Sequence, residues 1–160
     1  MEPRTPIVAR GDNLFAIDLL DAERALIAKL MKELAELIED DPETEMLARL
    51  FPTALPDDPT AEAEFQEMVR SELITTRIKR FESVADSVEG SLIDADQLQA
   101  WMCAINDARL VLSTRLNISE DDNVEELNEH DPNAMAKSTY WFLGWLLEHI
   151  VAATAEEPSE

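Results

Sequence analysis

Asn106, Asp107, Arg109, Thr114 and Arg115 interrupt an otherwise apolar stretch, DADQLQAWMCAINDARLVLSTRLN, which runs from Asp94 to Asn117. Three kinds of chemistry suit such a set. It can be a structural buried ion pair within a side-chain network, a pocket for a ligand or partner, or a catalytic cluster. The candidate ligand- or partner-binding residues are Asn106, Asp107, Arg109 and Arg115. At about 100° per residue, Leu98, Trp101, Met102, Ile105, Ala108, Leu112 and Leu116 form one helical side, and Arg109 projects among them near Ile105 and Leu112. A buried, unpaired guanidinium costs several kcal/mol, so a carboxylate or carbonyl partner is expected. Asp107 does not share Arg109's face, which places that partner on another segment. An enzymatic role would require Asn106, Asp107 and Arg109 to meet in one pocket with strongly shifted pKa values.

Other reactive groups are sparse. Cys103 has apolar neighbours, which should raise its thiol pKa and leave it inert; a redox role is the competing reading. The chain has two histidines, His130 and His149. A helical di-iron site needs two Glu-x-x-His motifs, but Leu127 and Leu146 precede these histidines by three residues. His149, near Phe142 and Trp145, reads as a core histidine. A calcium loop starting at Asp121 would need Gly at its sixth place and a carboxylate at its twelfth, where Glu126 and Pro132 stand. Three glycines leave no phosphate loop, dinucleotide fingerprint or nucleophile elbow. No catalytic residue, metal ligand or cofactor is assigned.

Composition narrows the partners. In 160 residues, 35 Asp and Glu stand against 13 Lys and Arg, a net charge of −22. Such a charge disfavours direct nucleic-acid binding and anionic membrane surfaces. It favours a protein partner with a basic surface. The single cysteine excludes an intramolecular disulfide. No signal peptide or membrane-length apolar run is visible, and the expected location is the cytoplasm. The densest basic run, Arg70, Arg77, Lys79 and Arg80, is expected to answer the protein's own carboxylates.

The elements that must position these residues are mainly helical: a bundle of about five helices with a short N-terminal β-hairpin. Residues 1–155 read as one helical domain and 156–160 as a disordered tail. Ile7-Val8-Ala9 and Leu14-Phe15-Ala16-Ile17 flank a turn at Arg10-Gly11-Asp12-Asn13. A lone hairpin is marginal, so it must dock on the helices or extend a sheet with another copy. Asp21 is the expected cap of a helix to Asp40. Its stripe of Leu26, Ile27, Leu30, Met31, Leu34, Leu37 and Ile38 suits a core face or, less simply, a partner groove.

A short helix is expected over Glu43–Leu50, followed by a Pro-rich connection. Asp58-Pro59 opens a long helix to about Val88, whose apolar stripe changes phase near Thr75-Thr76. That change predicts a bend there or contact with two elements in turn. Glu89-Gly90-Ser91 is a stop and turn. Asp94 and Gln97 form a capping-box pattern for the central helix. Asp131-Pro132 opens the last helix, which runs to about Thr154, with Trp101, Trp141 and Trp145 expected as neighbours across the two. Gly144 costs about 1 kcal/mol against Ala inside a helix, so something should pack closely there. The excess apolar surface of this helix also suits a dimer interface.

The motifs Leu47-Ala48-Arg49-Leu50-Phe51-Pro52, Asp57-Asp58-Pro59, Ala104-Ile105-Asn106-Asp107-Ala108-Arg109-Leu110, Thr114-Arg115-Leu116 and Trp141-Phe142-Leu143-Gly144-Trp145-Leu146 occur in this order. The order resembles an actinobacterial domain-of-unknown-function family that includes the AosR oxidative-stress transcriptional regulators. The resemblance spans roughly residues 14–152. It implies a cytoplasmic regulator of transcription acting through a sigma factor or RNA polymerase component, and it supplies no catalytic residues. Redox sensing in the AosR branch would invoke two cysteines, whereas Cys103 stands alone here, leaving only an intermolecular disulfide open. The expected function is therefore non-enzymatic regulation by protein–protein contact, with a homodimer expected. The alternatives are an enzyme or small-ligand binder built on Asn106, Asp107 and Arg109, and an acidic nucleic-acid mimic.

Overall fold

The turn at Asp12 and Asn13 sets the register of the N-terminal strands. Both residues have left-handed backbones, φ 55° and 60°, as a two-residue type I′ hairpin requires. In the computed structural model, which describes residues 4–41, 50, 59–116 and 132–155, β1 (Ile7–Gly11) and β2 (Leu14–Ile17) pair antiparallel about this turn. Period two sends Ile7 and Ile17, which face each other across the pair, into the core. The hairpin gains a third strand from its own chain: β3 (Leu92–Asp94) pairs with β2, matching Phe15 to Ile93. The sheet order is β1-β2-β3. Neither expected solution to the hairpin's marginal stability included β3, which is too short to show alternation.

Four helices are present among the described residues, where about five were expected. They are α1 (Asp21–Asp40), α2 (Pro59–Ser87), α3 (Ala95–Leu116) and α4 (Ala134–Ala155). The short helix expected over Glu43–Leu50 falls outside the described residues except for Leu50, which is buried. The Pro-rich connection, the caps Asp58 and Asp131, the acidic stretch before Asp131 and residues 156–160 also lie outside them.

α1 buries Ile27, Met31, Leu34 and Ile38, the expected stripe. Its cap sits one residue earlier than expected. Leu20 is the N-cap, and the Glu23 carboxylate accepts the Leu20 N–H at 2.9 Å. Asp21 lies in the first turn instead, where a negative charge complements the helix dipole. α2 runs unbroken for 29 residues, about 43 Å at 1.5 Å per residue. Its phase change marks where coverage begins: Met68 is 77% exposed, whereas Phe81 and Val84 are fully buried. The last helix begins at Ala134, after a turn at Pro132 and Asn133, and not at Pro132 itself.

α3 is the central element, packed against α2, α4, α1 and the sheet. Its capping box forms as expected. Gln97 N–H donates to Asp94 Oδ1 at 2.8 Å, and Asp94 N–H donates to Gln97 Oε1 at 2.9 Å. Trp101 is fully buried, but its indole N–H turns to Ser87 Oγ of α2 at 2.8 Å. Its polar end is thereby anchored at the C-terminal end of α2. No helix among the described residues is long and apolar enough to cross a membrane.

Candidate functional site

α3 carries buried or half-buried charge on two faces. Residues 107 and 109 lie about 200° apart on a helix, so their side chains must find different neighbours. Asp107, 6% exposed, faces α2. Its Oδ2 forms an ion pair with Arg77 Nε at 3.4 Å, and Arg80 adds a second positive charge nearby. Burial pushes the Asp107 carboxyl above its ordinary value of 3.8, while Arg77 and Arg80 pull it partly back. Two members of the basic run of α2, Arg77 and Arg80, thus answer an internal carboxylate.

Arg109 faces α4. Its guanidinium lies over the Tyr140 ring, 4.9 Å from the centroid, and Nη2 donates to the Tyr140 hydroxyl at 3.3 Å. The expected carboxylate or carbonyl partner is replaced by an aromatic one, because Arg109 is half-buried and a ring face accommodates a weakly hydrated flat cation. The same guanidinium packs on Gly144: a Cβ built there would stand 3.4 Å from Nε and Nη2. The contact is of ordinary van der Waals length, so the close packing expected at Gly144 is a neighbour that a methyl would touch but not displace. Above it opens a groove of about 560 Å³, lined by Arg109, Trp141, Gly144, Trp145, Glu148 and Val151 among others. Arg4 borders this region, with its guanidinium 5.1 Å from the Trp145 centroid and an ion pair to Glu23 of α1. His149 is half-buried and meets Trp145 edge-on at 5.1 Å.

A second groove, about 420 Å³, follows the seam between α1 and α2. Ala28, Ala35 and Ala85 hollow it out, because a methyl cannot fill the space between two helices. Half-buried Ile78 contributes apolar lining above the buried Met31 and Phe81, which form the floor. Among the described lining residues, Glu36, Glu39, Glu82 and Asp86 stand with one ammonium, Lys32.

A family model described as a domain of unknown function (DUF2017) matches residues 4–154. The chain belongs to this family. No curated protein and no solved structure matches it.

In this DUF2017 chain the four candidate residues are not gathered into one pocket. Asp107 meets α2, Arg109 meets α4, and Asn106 and Arg115 are exposed. Thr114 spends its hydroxyl on the Leu110 carbonyl of its own helix at 3.0 Å. Cys103 is half-buried, with the Gln99 amide nitrogen 3.8 Å from its sulfur. Among the described residues, no group of three or more His, Cys, Asp or Glu is arranged to hold a metal ion.

Arg24 is the structural residue that the sequence reading overlooked. It donates to the carbonyls of Val88 at 2.5 Å, Gly90 at 2.7 Å, Leu19 at 3.1 Å and Ile17 at 3.3 Å. One side chain therefore ties the start of α1, the end of β2 and the chain just beyond α2. A signal was present: a cation in the first turn opposes the dipole of its own helix, which suggests an employment elsewhere. Here it serves the C-terminal end of α2, where a positive charge is favoured.

Proposed function

We propose that this chain is a non-enzymatic regulatory protein that acts by protein–protein contact, and that the α1–α2 groove receives a basic, partly apolar segment of its partner. The observation that carries the reading is the groove itself. Its apolar lining can take aliphatic side chains, and among the described residues that line it four carboxylates outnumber one ammonium. A net charge of −22 would steer a basic partner toward it and repel nucleic acid. The motif resemblance to oxidative-stress regulators supports a specific form of this reading: a cytoplasmic protein contacting a sigma factor or RNA polymerase component.

Fluorescence anisotropy with a labelled amphipathic Lys/Leu peptide tests the groove. Glu36→Lys and Glu82→Lys together should weaken binding by roughly tenfold or more. Ala35→Trp, which fills the hollow without changing charge, should weaken it as well. Glu148→Lys, which changes charge in the α4 groove, should leave most of the affinity. Equal losses for the paired lysine variants and Glu148→Lys, with no effect of Ala35→Trp, would reduce the binding to bulk charge attraction and overturn the reading.

A further inference from the structure

The α4 groove differs in kind from the α1–α2 groove, and it supports an inference independent of the basic-partner reading. Among the described residues that line it, one is a cation and one an anion, Arg109 and Glu148, and no ion pair joins the two. Glu148 is exposed, and Tyr140 already covers one face of the Arg109 guanidinium. Around them stand the half-buried Trp141 and Trp145, and Val151, which is 48% exposed. An apolar wall on the outer side of a helix in a protein this acidic calls for a cover.

A twofold contact uses the same patch on both copies, so that patch must complement itself. The α1–α2 groove fails this requirement, since its carboxylates would face carboxylates. The α4 groove meets it: Arg109, held by Tyr140 but by no carboxylate, and Glu148 share one surface with Trp141 and Trp145, and the Arg4 that lies over Trp145 is already paired with Glu23. The helix is 22 residues long, about 33 Å, long enough to contribute one side of a dimer contact. We infer that a second copy of this chain docks on the α4 groove about a twofold axis, with Glu148 of each copy completing the Arg109 site of the other. Aromatic and Val151 surface then leaves water while each ion pair forms across the interface.

The charge of −22 on each copy opposes this association at long range. Moderate salt screens that repulsion more than it screens a half-buried contact pair. Dimerisation should therefore strengthen from low to moderate ionic strength, the reverse of the basic-partner binding. Sedimentation velocity of the full chain, over a range of concentrations and at two salt levels, provides the test. Wild type should associate reversibly to a dimer. Glu148→Arg should weaken the dimer by roughly tenfold or more. Val151→Asp, which introduces a charge without touching the ion pair, should do the same. Both side chains are exposed, and circular dichroism should show native helix content in each variant. A wild type that stays monomeric throughout overturns the inference. So does a dimer that is indifferent to both substitutions.

Discussion

The two sides of α3 solve one physical problem in different ways. On the α2 side, Asp107 is 6% exposed and is held by Arg77 and Arg80, groups of opposite charge. On the α4 side, Arg109 keeps partial exposure and rests on a tyrosine ring and a glycine. The difference follows from charge type. A carboxylate is compact and strongly hydrated, so burial leaves it dependent on cations. A guanidinium is flat and weakly hydrated, so the ring face and hydroxyl of a tyrosine can hold it without a carboxylate. The first arrangement locks two helices together. The second leaves a cation available at the surface of a groove.

Removal of Asp107 should have the largest effect. Asp107→Ala would remove the carboxylate that ties α3 to Arg77 and Arg80 of α2, and the expected cost is about 3 kcal/mol. Urea unfolding followed by circular dichroism measures it. Asp107→Asn retains the shape and an acceptor for Arg77 and should cost less. If Asp107→Ala costs under about 1 kcal/mol, the α2 side is no tighter than the α4 side and the contrast fails.

The same pair sharpens the contrast through pH. The folded carboxyl of Asp107 lies above the ordinary 3.8, so the folded chain holds that proton more tightly than the unfolded chain. Its contribution to stability therefore falls as pH rises from about 3.8 through the raised folded value, and is flat above it. Asn does not titrate. The stability of Asp107→Asn relative to wild type should thus increase with pH across that window. A relative stability that decreases would mean that Arg77 and Arg80 outweigh burial.

Arg109→Lys should cost less, about 1 kcal/mol. Lysine keeps the charge but loses the flat contact with Tyr140 and the Nη2 hydrogen bond at 3.3 Å. A cost matching that of Asp107→Ala would show that the guanidinium is as tightly held as the carboxylate.

What the sequence disclosed about these two sides depended on range. Local rules worked where the partners are close in the chain. Asp94 and Gln97 cap α3 across three residues, Asp12 and Asn13 turn the hairpin, and the α1 stripe repeats at helical spacing. Longer reach was opaque. Arg77 and Asp107 are thirty positions apart, and the sequence indicated only that α2 carries the densest basic run and that α3 holds a misplaced charge. Arg109 was recognised as needing a partner on another segment, but the partner's type was missed, since a charge pattern does not reveal a ring face. β3 escaped because three residues cannot display a period of two, although it converts the marginal hairpin into a sheet. Trp101 escaped because an apolar helix offers no sign of which neighbour each side chain will meet.

Gly144→Ala should have the smallest effect, and its sign is informative. Helix propensity favours alanine by about 1 kcal/mol at an interior position. Against this, the new methyl meets Arg109 Nε and Nη2 at 3.4 Å and Cζ at 3.5 Å, ordinary van der Waals contact with the end of a flexible side chain. The methyl would not force the guanidinium off Tyr140, so the variant should be neutral or more stable by up to about 1 kcal/mol. Thermal unfolding resolves a gain of that size. A destabilised Gly144→Ala would mean that Arg109 has no freedom to yield, and the α4 side would then be as rigidly built as the α2 side.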